Sequence, residues 1–112
     1  MDVPELLFHL TRRRRMYLLD DRYLTAVAFV EGFNQALDRR PLNGFQEWLC
    51  RRVLGYGTGA HWSYVIDSSE VPGLPPGAVN LNDLGPETQL RLIDRMLALI
   101  GEFSEAGEVP GG

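Results

Sequence analysis

From Leu90 to Phe103 the chain places large apolar residues at steps of three and four: Leu90, Leu92, Ile93, Met96, Leu97, Leu99, Ile100 and Phe103. That is the period of an α-helix. The stripe is too wide for one neighbour, so it predicts a helix packed on two sides. Gly85-Pro86-Glu87 marks its start, with a first-turn proline and an acid at the positive end, and Gly107 marks its close.

Three more helices are expected around it. Asp2 with Glu5 three residues on, and Pro4 between them, is a capping signature, followed by Leu6, Leu7 and Leu10 on one face. Four consecutive arginines, Arg12–Arg15, would point to every side of a continuing helix and bury an unpaired guanidinium, so this helix should end among them. Asp20 and Asp21 are expected to cap a second helix over Arg22–Leu37, with Tyr23, Val27, Val30, Phe33 and Leu37 inward. A third should run from Pro41 or Asn43 to Leu54, with Phe45, Trp48, Leu49 and Val53 as its stripe and Gly55 as its stop.

His61–Ile66 reads two ways. Trp62, Tyr64 and Ile66 alternate as in a strand, while Trp62, Val65 and Ile66 fit a helical turn. The expected fold is therefore mainly α, an irregular four-helix bundle with one ambiguous short segment. The alternative is α+β, with His61–Ile66 paired to Arg15–Leu19 in a two-stranded element. Asp67–Pro86, with four prolines and three glycines, is expected to be a long irregular loop. At 45% hydrophobic and 112 residues the chain supports one domain, 1–106, with 107–112 as a flexible tail.

Charge is unevenly distributed over a net −4. Residues 1–55 carry nine arginines against seven acids; residues 56–112 carry two against eight. An acidic half repels nucleic acid and anionic membrane and favours a basic protein partner. No apolar run approaches the ~20 residues that span a bilayer. The arginines follow the first apolar stretch, the reverse of a secretory signal, so a cytoplasmic location is expected.

No catalytic, metal or cofactor motif is present. Cys50 and His61 have no identifiable orienting group, and His9 and His61 lack metal-ligand spacing. The glycines of "GYGTGAHW" lack the Lys-Ser/Thr ending of a phosphate loop. Arg12–Arg15 is read as a helix end paired with nearby acids. A protein-binding patch and a phosphate grip are the lesser readings of the same run.

"RRRRMYL", "AVAFVEGFNQAL", "LNGFQEWL" and "HWSYVI", followed by one acidic C-terminal helix, resemble a family of small uncharacterised bacterial proteins similar to the immunity proteins encoded beside polymorphic toxins. The resemblance implies a non-enzymatic protein that neutralises a toxin by direct binding, with a basic toxin domain as partner; a regulatory or scaffolding module is the alternative. The expected partner face combines Trp62 and Tyr64 as aromatic anchors with Asp67, Glu70, Asp83 and Glu87 as acidic rim.

Overall fold

Asp2 caps the first helix reciprocally: its carboxylate accepts the Glu5 amide at 2.9 Å, and Glu5 accepts the Asp2 amide at 3.4 Å. The computed structural model describes residues 1–70 and 80–107. Helix α1 spans Val3–Arg12 and ends inside the arginine run, as its charge pattern requires. Arg13 breaks the helix at φ −130°, and a single helical turn, α2, follows at Arg14–Tyr17. The chain then becomes extended and enters α3, Tyr23–Ala36.

Helix α3 closes on two consecutive left-handed residues, Asp38 (φ 58°) and Arg39 (φ 61°). The Arg39 amide donates to the Asn34 carbonyl at 2.8 Å, and the buried Asn34 side chain accepts the Leu42 amide at 3.0 Å. Asn34 thus holds the turn at both ends. Helix α4, Phe45–Leu49, starts later than the expected Pro41 or Asn43 because 41–44 form a turn through Gly44 at φ 84°. It continues as a wider π turn over Cys50–Leu54, closed by the Gly55 amide on the Cys50 carbonyl at 2.8 Å, and stops at Gly55 with φ 81°.

The ambiguous segment is helical. Helix α5 spans Trp62–Glu70, and Trp62, Val65 and Ile66 form its buried face. The expectation of a loop from Asp67 to Pro86 is corrected accordingly. Asp67–Glu70 complete α5, Leu81–Asp83 form a 3₁₀ turn, and 71–79 lie outside the described residues. The α+β alternative has no strand among the described residues, and most of its proposed partner, Arg15–Leu19, is taken up by α2.

Helix α6, Pro86–Gly107, is about 33 Å long at 1.5 Å per residue and packs against α1, α3, α4 and α5. Leu92, Ile93, Met96, Leu97, Leu99 and Ile100 are all buried in this contact, each contributing about 1.5–3 kcal/mol of apolar burial. The mainly α fold is an irregular bundle around this central helix. Of the expected tail, 107–112, Gly107 is the last residue of α6 and 108–112 lie outside the described residues. No helix among the described residues is long and apolar enough to cross a membrane.

Candidate functional site

Because α1 ends at Arg12 and α2 turns back from Arg13, the four arginines face different surroundings. Arg14 is the inner one. Its Nε donates to the last-turn carbonyl of Leu10 at 2.8 Å and its Nη2 to Asp94 of α6 at 2.8 Å, with only 17% of the side chain exposed. One guanidinium thus satisfies an orphan carbonyl at a helix end and ties α1 to α6. Arg15 pairs with Asp21 at 3.0 Å in solvent, where such a pair contributes little. The Arg13 guanidinium lies 5.8 Å from the exposed Phe8 ring, within cation–π range. Neither Arg12 nor Arg13 has a carboxylate within 4.0 Å among the described residues.

These residues line an open groove of about 720 Å³ between the α1–α2 corner and α6: Thr11, Arg12–Arg15, Met16, Asp21, Leu90 and Asp94. A second depression of about 380 Å³ shares Asp21 and Leu90 with it and continues over Leu84 and Pro86. Met16 is 75% exposed and Leu19, three residues on, is fully exposed. Met16 and Leu90 line the same groove, and apolar surface rimmed by polar and charged groups is the kind that interaction sites use.

Asp20 and Asp21 do not cap α3, contrary to expectation. Asp20 accepts the Arg22 amide at 3.0 Å, one position too early. The Thr25 hydroxyl and that amide hold its carboxyl below the ordinary aspartate range. Capping falls to Gln89 of α6, a residue to which no spacing rule assigned a role. Its Oε1 accepts the Tyr23 amide at 2.8 Å, while its Nε2 donates to the carbonyls of Leu81 at 2.7 Å and Leu84 at 3.2 Å.

The structure separates the expected partner face. Trp62 is buried, 5% exposed, and its indole N–H donates to Glu31 at 2.7 Å. It is a core side chain, packed edge-on to Phe45 at 5.5 Å. Tyr64 is half-buried against the same core. Asp67 is 3% exposed, on the inner side of α5, with Oδ1 lacking a hydrogen-bond partner, and burial pushes its carboxyl upward. Helical periodicity accounts for this: Ser63 and Asp67 are four apart, so both fall on the buried side once the segment is a helix. Glu70 lies 3.7 Å from Arg91. Asp83 and Glu87 are exposed, adjacent in sequence to Asn82 and Pro86 of the second depression. None of the six lines the groove or the second depression.

His61 caps α5. Its Nδ1 accepts the Ser63 amide at 3.2 Å and lies 2.8 Å from the Ser63 hydroxyl, which places the proton on Nε2, 3.5 Å from Glu31. Glu31, His61 and Ser63 thus form a relay in outline, but Ser63 is 2% exposed and presents no face to a substrate. The Cys50 thiol is buried and receives the Gln46 amide at 3.6 Å. Comparison of the chain with family models, with curated proteins and with solved structures found no match.

Proposed function

We propose that this chain is a non-enzymatic protein-binding domain whose contact surface is the arginine groove and its apolar rim. The observation that carries this reading is the meeting of exposed Met16 and Leu90 with Arg12 and Arg13 in one open groove. Covering Met16 and Leu90 would contribute at most about 1.5–3 kcal/mol each, so a partner that reaches micromolar association, about 8 kcal/mol, must also engage Arg12, Arg13 and further surface. The acidic face expected around Trp62 and Asp67 supports no such contact, because both side chains lie in the core.

The resemblance to immunity proteins makes a toxin domain the first partner to test. The chain is co-expressed with the variable C-terminal domain of a neighbouring secreted-protein gene, and growth rescue and association are measured. Rescue by the parent and its loss in the double variant Met16→Glu/Leu90→Glu is the expected result. Rescue that this variant leaves intact would place the contact elsewhere and overturn the groove as the surface. No rescue and no association would remove the toxin-neutralising role.

A further inference from the structure

We infer that the groove receives an acidic protein segment carrying a large apolar side chain, an inference that rests on the protein-binding reading above. The lining holds four arginines against two aspartates. Both aspartates are engaged, Asp94 by Arg14 at 2.8 Å and Asp21 by Arg15 at 3.0 Å. The surplus of two positive charges therefore resides on Arg12 and Arg13, two exposed guanidinium groups without a carboxylate partner among the described residues.

A guanidinium is a planar fork of donors, and a carboxylate is the side-chain anion whose two oxygens match it. The anion alone does not complete the site. Met16 on one wall and Leu90 on the other present apolar surface to the same space, so the ligand must bring an apolar group within reach of its acids. The second depression continues past Leu90 over Leu84 and Pro86, giving an extended segment room beyond the arginines. Nucleic acid fits less well. Its backbone supplies charge without the apolar group that Met16 and Leu90 call for.

The probe is a fluorescein-labelled, glutamate-rich peptide with a central leucine, titrated with the full chain and followed by anisotropy. A glutamine-for-glutamate peptide, a single-stranded oligonucleotide and phosphatidylglycerol vesicles are compared with it. The acidic peptide is expected to bind, and the glutamine peptide to bind at least about tenfold more weakly. Arg12→Glu/Arg13→Glu should lower affinity for the acidic peptide by about tenfold or more, with the chain still folded and its melt lowered only modestly, since both positions are exposed but lie at the C-terminal end of α1. Met16→Ser should weaken it as well, through the apolar side of the contact.

Absence of peptide binding, equal binding of the two peptides, or indifference to Arg12→Glu/Arg13→Glu would overturn the inference. Tighter binding of the oligonucleotide or the vesicles than of the acidic peptide would overturn it too. If the peptide fails while Met16→Glu/Leu90→Glu still abolishes toxin-domain association, the acidic ligand falls and the surface stands. If the peptide binds as expected while that association ignores Met16→Glu/Leu90→Glu, the toxin-domain surface falls and the ligand chemistry stands.

Discussion

Gln89 accepts the Tyr23 backbone N–H at 2.8 Å across 66 residues of sequence, so the first turn of α3 is capped from the middle of the bundle. The same side chain holds the 3₁₀ turn through the carbonyls of Leu81 and Leu84. Three elements are thus fastened by one buried amide. Gln89→Ala should cost about 2–3 kcal/mol, since it strands a buried donor and a buried acceptor. Gln89→Glu separates the two roles: it keeps an acceptor for Tyr23 but sets a carboxylate against carbonyl oxygens. Its folded pKa should be raised, so that stability falls as pH rises through the window above the ordinary glutamate value of about 4.3. Thermal melts across acidic pH check both; a Gln89→Glu melt that improves toward neutrality would contradict the assignment.

Asp67 should work against the fold at neutral pH. Burial raises its carboxyl in the folded state, so the folded chain binds more protons just above the unfolded aspartate value of about 3.9. Stability from this residue therefore falls as pH rises through that window. Asp67→Asn should stabilise the protein at neutral pH by about 1 kcal/mol and flatten that part of the profile. Asp67→Lys should unfold it. Urea midpoints at two pH values measure the difference, and an Asp67→Asn midpoint below the parent's at neutral pH would refute it.

The aromatic cluster grades the core. Phe45 is buried and touches Trp48, Trp62 and Phe103 with ring centroids at 6.1, 5.5 and 5.3 Å. Phe45→Ala should cost about 3–5 kcal/mol. Trp48 is half-buried, so Trp48→Ala should cost less, about 2–3 kcal/mol, and exposed Glu47→Ala less than about 0.5 kcal/mol. Calorimetry that reverses this order would put the α4 facing in error.

Neighbouring arginines should differ sharply. Arg14→Ala removes a mostly covered guanidinium from Leu10 and Asp94 and should cost about 1–2 kcal/mol. Arg15→Ala breaks an exposed pair and should cost less than about 0.5 kcal/mol. Equal losses in chemical denaturation would show that the run acts as undifferentiated charge.

Arg39 sits at φ 61°, where an L side chain costs about 1–2 kcal/mol of backbone strain. Arg39→Gly relieves that strain and gives part of it back as unfolded-chain entropy, so a net gain of about 0.5 kcal/mol is expected. Arg39→Val should destabilise, because β-branching is poorly tolerated there. A lower melting temperature for the glycine variant than for the valine variant would exclude the left-handed turn.

Local rules carried far in this chain. Apolar periodicity was enough for α1, α3 and α6, and the Asp2–Glu5 pair and Gly55 marked real helix ends, because those signals act between residues three to five apart. The arginine run likewise had to break α1, since four consecutive side chains cannot all reach solvent on a packed helix. Tertiary structure decided the rest. Within His61–Ile66, Trp62–Ile66 are helical because the buried side needs Trp62, Val65 and Ile66 together, a choice that six residues with both periods leave open. That choice turned Asp67 inward and removed it from the surface. Arg14 found its acid 80 residues away on α6, and α3 found its cap at Gln89 rather than at Asp20 or Asp21. Composition and spacing report which groups are charged or apolar; desolvation and hydrogen-bond satisfaction are settled only when distant helices close around them.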